Sequence, residues 1–573
     1  MLLAQIISSA SVTICMLVDS IMIGQFLGVH AIAAYGIASP LLFTYTAFGS
    51  LLSTGIQVVV SRSLTKNDKK TTNTCYTGAI VLSLIVGFTG LIAVYVFTDP
   101  ISCWLGAQKG TPVFDMTKQY LRGFMFGAPA FIISQILVPF LLLSNNRGRL
   151  VTAVVIMTLS DILMDVINVK IVHAEMFGMG AASALSYYFA LAVAFGYLIS
   201  KSCIYKFNIH LFSFRSCLDT LKNGIPTAVN SICYALSVYC INQILLSSGH
   251  STGVAIYSVL STFGSLCFAA GGGIGTVSLA LGGVFYSEDD RHSLHSLVKI
   301  FIKWDILIGV IETVFFLATA RPVMGLFLSA EPEDIMRRGT FALRIFVLCL
   351  MPSALNSTFK NYYLGIERVR LSELISLLQN FLFLTASAFV LNLIGGMRGI
   401  WFAFLVGEIL TFITICVIVW IHNRKIVFSA PAFAMLDADF GVCDEDMMDI
   451  PIESMDQVRK ASEDASKFCL DHGGSKSDAS KIALVIDEMG SNIIQHGFSD
   501  GKEHNMQLRV IAKKDEWIVG FRDDCKGFDP VKYRKKHDLD NSYTRLGLKL
   551  VFEAASDVKY VNALGLNNLT IRI

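Results

Sequence analysis

The sequence predicts an α-helical membrane protein: about twelve spanning helices in two six-helix repeats, followed by a C-terminal α/β sandwich. Three observations lead there. First, charge is partitioned along the chain. Residues 1–61 hold a single charged side chain, Asp19, residues 223–287 hold none, and roughly half of all Asp, Glu, Lys and Arg lie after residue 427. Second, apolar runs of spanning length recur through the first three quarters. Third, matching residues reappear in the second half of that region at an offset of about 222 positions. Only 16% of all residues are charged, against about 25% in an average soluble protein. The first three quarters are therefore suited to lipid and the last quarter to water.

A helix needs about 20 apolar residues to cross the hydrocarbon core. Spans are expected near 5–28, 32–60, 74–98, 119–144, 150–172, 177–200, 224–247, 251–286, 300–320, 340–362, 371–394 and 398–421. The N-terminus has no basic stretch and no clear cleavage site, so its first apolar run reads as a span rather than a signal peptide. The thirteen cysteines include no CxxC pair, and several lie in apolar runs as small core side chains do, so neither a metal nor a disulfide framework is expected. The net charge of +2 gives no indication of nucleic-acid binding.

The connecting loops alternate in charge. One set carries Arg62, Lys66, Lys69, Lys70, Arg147, Arg149, Lys201, Lys206, Arg215, Lys222, Arg291, Arg368, Arg370, Arg424 and Lys425, while the opposite set carries chiefly Lys109, Arg321 and Arg398. The basic side faces the cytoplasm of a plasma-membrane protein, and an even number of spans puts both termini there. The expected division is an N-terminal lobe over 1–222, a C-terminal lobe over 223–425, a linker over 426–450 and a soluble domain over 451–573. Across the repeat, Gln25 and Tyr35 match Gln243 and Tyr257, Asp68 matches Asp290, and Pro129 matches Pro352. Six spans per half relate the halves by an axis along the membrane normal, with a substrate path between them.

An ionised carboxylate near the bilayer centre costs at least about 2.5–3.5 kcal/mol, so a chain that keeps one generally uses it. Asp19 sits in the middle of the first span. Asp161 and Asp165 on the fifth are spaced i, i+4 and share a helix face. Three converging carboxylates make a proton acceptor or a hard-cation site. A purely structural alternative has Asp165 capping the polar end of its helix and Asp161 hydrated. In the second half, Asp305 and Glu312 share a face of the ninth span, with Asp305 interfacial and paired to Lys303 as one reading, and Glu408 on the twelfth is isolated.

These residues stand in a longer pattern. VDSIMIGQFLG from Val18, AAYG from Ala33, STGIQ from Ser53, GMGAASA from Gly178 and GIPTA from Gly224 resemble multidrug and toxic compound extrusion (MATE) transporters over residues 1–425. In that family an aspartate on the first span, with an Asn and an Asp four apart on the fifth, forms the cation-coupling site. Asp19 and Asp165 match, and Asp161 takes the Asn position. Asn230 corresponds to a polar residue early on the seventh span. The resemblance implies antiport, in which inward Na⁺ or H⁺ drives out a small amphipathic or cationic compound. Related families flip lipid-linked sugars, so a flippase is an alternative.

The last 120 residues read as two amphipathic helices over 453–472 and 475–498, strands near 505–513 and 516–523, a helix near 544–556, and strands near 557–561 and 567–573. Within 422–450 an edge strand is an option. Glu488, Asn492 and His496 recur every four residues on one helix face. With DDCKGFDP from Asp523 and RLGLKLV from Arg545, this order resembles the ATP-binding domain of histidine kinases and anti-sigma-factor serine kinases. The resemblance implies ATP with Mg²⁺: Asn492 as metal ligand, Glu488 positioning or activating a nucleophile, and Asp523 accepting from the adenine amino group. Gly527 and Gly547 are the remaining loop glycines. Cys525 and Arg545 stand where the family has Gly, and Arg545 could pair with phosphate. A nucleotide-free interaction domain is the alternative at this level. A further reading of the whole chain is a membrane sensor controlling a kinase-like module and its cytoplasmic protein partner.

Overall fold

A computed structural model describes residues 2–573 except 66–67, 145, 199–202, 204, 249–250, 330, 425–428, 438–439, 443, 501–503, 514–515, 537–545 and 564–565. The first repeat comprises α1 (Leu2–Leu27), α2 (Val29–Thr65), α3 (Lys69–Val96), α4 (Thr98–Leu105), α5 (Pro112–Met125), α6 (Ala128–Leu143), α7 (Arg147–Ile167) and α8 (Glu175–Leu198). The second comprises α9 (Phe214–Ser247), α10 (Ser251–Ser287), α11 (Arg291–Leu328), α12 (Glu333–Phe346), α13 (Leu350–Gly365), α14 (Val369–Leu377) and α15 (Phe383–Asn423).

Among the described residues, eight helical segments are long and apolar enough to cross a membrane, or nine with α5 and α6, bent by 51°, taken as one span. The sequence expectation of twelve counts three more. They are α1, apolar over Thr13–Leu27, the charge-bearing α11, and the second half of the 55-residue segment Val369–Asn423. That segment turns at Gly396, whose φ of 56° and ψ of −147° suit only a residue without Cβ. Helix starts follow local chemistry. Thr111 Oγ1 accepts from Phe114 N ahead of Pro112 at the first turn of α5, and Asp68 accepts from Thr71 N to cap α3.

The described chain forms two compact units. One gathers Met1–Gly273, Trp304–Lys360 and Arg370–Ile415; the other gathers Ile274–Lys303, Asn361–Val369 and Cys416–Ile573. In the first unit α2 packs along α9, joining the two repeats. A single apolar core runs through both, with Ile32, Ile37, Leu260 and Trp401 almost fully enclosed.

The second unit contains the soluble domain: α16 (Ala430–Phe433), β1 (Met447–Ile452), α17 (Met455–Asp471), α18 (Lys476–Asn492), β2 (Met506–Ala512), β3 (Trp517–Asp523), α19 (Pro530–Lys536), α20 (Leu546–Ala554), β4 (Asp557–Ala563) and β5 (Leu566–Arg572). β1 is the edge strand that the sequence left as an option. The five strands are antiparallel in the order β1-β2-β3-β5-β4. Alternation divides the sheet. Leu508, Val510, Val519, Phe521, Leu569 and Ile571 share a core with Val458 and Ala461 of α17, Ile482 and Ile486 of α18, and Val551 of α20. Arg509, Arg522 and Arg572 occupy the alternate positions, on the opposite face.

Candidate functional site

The first-repeat carboxylates come together. α1 packs on α7 and α8, and Ser183 Oγ of α8 donates to Asp19 Oδ2 at 3.3 Å. Asp19, Asp161 and Asp165 are 7%, 2% and 0% exposed, so their charges are enclosed by protein. Oδ1 of Asp19, Oδ1 of Asp161 and both Oδ atoms of Asp165 are buried acceptors without a hydrogen-bond partner among the described residues. Asp19 interacts electrostatically with both of the others. Asp19 and Asp161 also line a cavity of about 150 Å³ with Tyr35, Tyr120 and Gln135. Asp165 does not cap a polar helix end, because the helix runs on as a wider turn through Val172. Unsatisfied buried acceptors of this kind are costly until a proton or cation satisfies them.

Asn230 is not in that cluster. Its Oδ1 accepts from Ser376 Oγ and, at 3.0 Å, from Asn380 Nδ2, both in the second repeat. Asn380 lines a larger cavity, of about 250 Å³, which also holds Asp305, Glu312, Lys360, Gln379 and Glu408. One sequence reading is corrected here: Glu408 is not isolated. Asp305 is buried. Asn356 Nδ2 donates to Glu408 Oε2 at 2.7 Å, Gln379 Nε2 donates to it at 3.1 Å, and Lys360 lies within Coulombic reach. Asn356, Lys360 and Gln379 were missed by sequence reasoning. Lys360 was discoverable, since a lone lysine in a spanning segment is as costly as a lone carboxylate.

In the soluble domain α18 carries Glu488 and, one turn later, Asn492, both half-buried. The Glu488 carboxylate lies against Gly547 at the start of α20, so the helix motif and the second glycine loop meet. Asp523, at the end of β3, is buried. Its Oδ1 accepts from Asn567 Nδ2 at 2.7 Å and from Cys525 N at 3.0 Å. Burial raises its pKa, and these two donors oppose the rise. Asn567, unforeseen from sequence, also accepts from Tyr560 Oη and Asn562 Nδ2. A Cβ on Gly527 would lie 2.9 Å from Tyr560 Oη and 3.2 Å from Asn567 Oδ1, so glycine lets the loop approach these side chains closely. A buried carboxylate of this kind could accept a hydrogen bond from the amino group of a purine base. Asn492 could hold Mg²⁺ through its side-chain oxygen. Arg545 lies outside the described residues.

The opposite face of the sheet meets Glu288, Asp289 and Asp290, the turn between α10 and α11. Arg509 pairs with Asp290 and, at 2.5 Å, with Asp449. Lys513 pairs with Asp289 at 2.5 Å and Arg522 with Glu288 at 3.0 Å. Burial raises the Glu288 pKa against the lowering effect of Arg522, and burial together with Arg522 brings that of Arg509 down to about 10.

Comparison with known proteins accounts for both parts. A model of the histidine kinase-like ATPase domain matches residues 453–573. The Multidrug export protein MepA of Staphylococcus saprophyticus is 23% identical over 405 residues, covering 69% of this chain and 87% of that protein. MepA of Staphylococcus aureus strain MSSA476 is 23% identical over 408 residues, with the same shares. An inward-facing structure of a multidrug resistance MATE family transporter of the MOP superfamily shares the fold at 20% identity and a TM-score of 0.68, over 74% of this chain and 96% of that one. An outward-facing structure matches at 21% identity and 0.57, over 72% and 92%. The MatE model itself matches residues 4–167 and 226–391, one stretch in each six-helix half, and by that match the chain belongs to the MatE family of membrane transporters.

Proposed function

We propose that this protein is a cation-coupled antiporter that exports amphipathic organic compounds, with a cytoplasmic domain that responds to nucleotide. The observation that carries the first part is the buried trio Asp19, Asp161 and Asp165 with its unsatisfied oxygens. Enclosed carboxylates repel one another, and H⁺ or Na⁺ relieves that cost. Both cations suit an all-oxygen donor set. A site whose cation occupancy shifts the balance between two packings of the repeats couples the ion gradient to alternating access. The second-repeat cavity sets three carboxylates against one lysine and adds Tyr257 and Phe346, which suits an amphipathic cation.

ATP regulates rather than powers this cycle. The sequence has one nucleotide domain and no G-x-x-x-x-G-K-[ST] stretch. Asn492, Asp523, Gly527, Gly547 and Arg545 bind the nucleotide with Mg²⁺, and Glu488 sits beside it. Excess Lys and Arg on alternate loops puts both termini in the cytoplasm. The test is export from proteoliposomes with Na⁺ and pH gradients imposed separately. Asp19→Asn abolishes gradient-driven export in this reading, and export unchanged by that substitution overturns it. A second reading, a membrane sensor for a kinase-like module, draws on the ion pairs joining Glu288–Asp290 to the domain. It requires ATP-dependent capture or phosphorylation of a cytoplasmic protein by the full chain.

A further inference from the structure

The strand-end loop that carries Asp523 continues with two other potential ligands. His504 Nδ1 and Asp524 Oδ1 are 3.0 Å apart, and with Cys525 Sγ they form a group whose ligand atoms all lie within 4.8 Å of one another. The three residues come from the approach to β2 and the exit from β3, which the antiparallel register of Met506 with Asp523 holds side by side. The cluster is partly prepaid in order. The Asn505 backbone N–H donates to Asp524 Oδ1 at 3.0 Å, and that contact and His504 hold the Asp524 pKa below the usual carboxylate value. The His504 side chain is 8% exposed and that of Asp524 39% exposed, while Cys525 is buried with its Sγ against Gly497. The site thus has an enclosed side and one edge open to solvent.

From this juxtaposition we propose that His504, Asp524 and Cys525 bind a borderline-soft divalent cation of the Zn²⁺ class. A thiolate, an imidazole and a carboxylate are the donor types zinc takes, at about 2.3 Å for sulfur and about 2.0–2.2 Å for nitrogen and oxygen. Tetrahedral coordination needs the three ligand atoms closer than the 4.8 Å limit, a movement available to side chains on a loop. Water fills the fourth position at the open edge. Binding displaces the thiol proton of Cys525 to solvent. Cys525 is one of the positions where the loop carries a ligand-forming side chain in place of the glycine that the resemblance leads one to expect. Mg²⁺, which prefers six oxygen ligands, is a poor match for this set. The site stands whether or not Asp523 and its loop take nucleotide, because its test reads the metal alone.

The test is Co²⁺ titration of the full chain, without a histidine tag, in detergent micelles. Saturable binding of one equivalent is expected, with tetrahedral visible bands and a thiolate-to-cobalt charge-transfer band, both lost on adding Zn²⁺. Cys525→Ser removes the charge-transfer band, and Asp524→Asn and His504→Gln each weaken binding by at least the roughly 10–100-fold that loss of an outer-shell partner costs. Thermal melting of each variant checks that the domain is folded, and Asp524→Asn serves if Cys525→Ser is not. A charge-transfer band that persists in Cys525→Ser, affinity unchanged in a folded Asp524→Asn, or no saturable Co²⁺ binding overturns the proposal.

Discussion

Asp290 does two things at once: its Oδ1 accepts from Ser293 N at 2.8 Å to cap α11, and its carboxylate pairs with Arg509 on β2 of the soluble domain. Its repeat counterpart, Asp68, caps α3 in the same way through Thr71 N at 3.0 Å, and its side chain is exposed. The preceding Asp289 holds a left-handed backbone, φ 54°, a conformation that Asp tolerates better than most residues. One duplicated turn thus serves as a plain cap in the first repeat and as a docking point in the second.

The pair predicts a contrast between Asp290→Asn and Asp68→Asn. Asparagine caps a helix about as well as aspartate, so both variants keep their helix starts. Only Asp290→Asn strips a charged partner from the largely buried Arg509, which keeps Asp449, a change that costs about 1.5–3 kcal/mol. Thermal unfolding and limited proteolysis of the purified protein should separate them, with the Asp290 variant clearly weakened and the Asp68 variant near wild type. Equal behaviour would remove the docking role.

Within the carboxylate trio, Asp19→Asn should bring gradient-driven export in proteoliposomes to background while the protein still inserts and purifies. Asp165→Asn should behave similarly, since both of its oxygens are buried beside Asp19 and have no geometric hydrogen-bond partner among the described residues. Asp161→Asn restores the residue type that the family resemblance places there, so it should retain export and change the dependence on Na⁺ and pH. Loss of export in Asp161→Asn alone would contradict this ordering.

In the second-repeat cavity, Lys360→Met leaves the Glu408 carboxylate without its nearby positive charge, with neutral donors from Asn356, Ser353 and Gln379. Unfolding measurements should show destabilisation, and Glu408→Gln added on top should recover part of it. A double-mutant cycle should give a coupling of about 1–3 kcal/mol. Strict additivity would mean that the two side chains do not interact.

Asn567→Ala removes the side-chain donor to Asp523 at 2.7 Å and leaves a buried carboxylate less satisfied. Calorimetry with Mg²⁺–ATP should register a loss of about 1–3 kcal/mol in affinity, and Asp523→Ala a larger one. Binding unchanged in both would mean that Asp523 does not hold the base.

Much of this was legible without coordinates. Charge partition and apolar run length depend on which solvent each segment meets, a property of local composition, so the spans, their repeat and the soluble domain could be read directly. Motif spacing placed Glu488 and Asn492 on one face of α18 and brought forward Asp19, Asp161 and Asp165. Tertiary structure decided what those residues meet. Asn230 joins Ser376 and Asn380 rather than Asp19, because the face that α9 presents is set by packing rather than by span number. Glu408 finds Asn356 and Gln379 from two other helices, and Asp523 finds Asn567 from a strand formed 44 positions later. Nothing in the sequence marks Arg509 and Arg522 as the residues that the turn at Glu288–Asp290 covers. Each of these partnerships joins residues far apart in the chain, and local composition carries no record of which distant side chain the packed core will deliver.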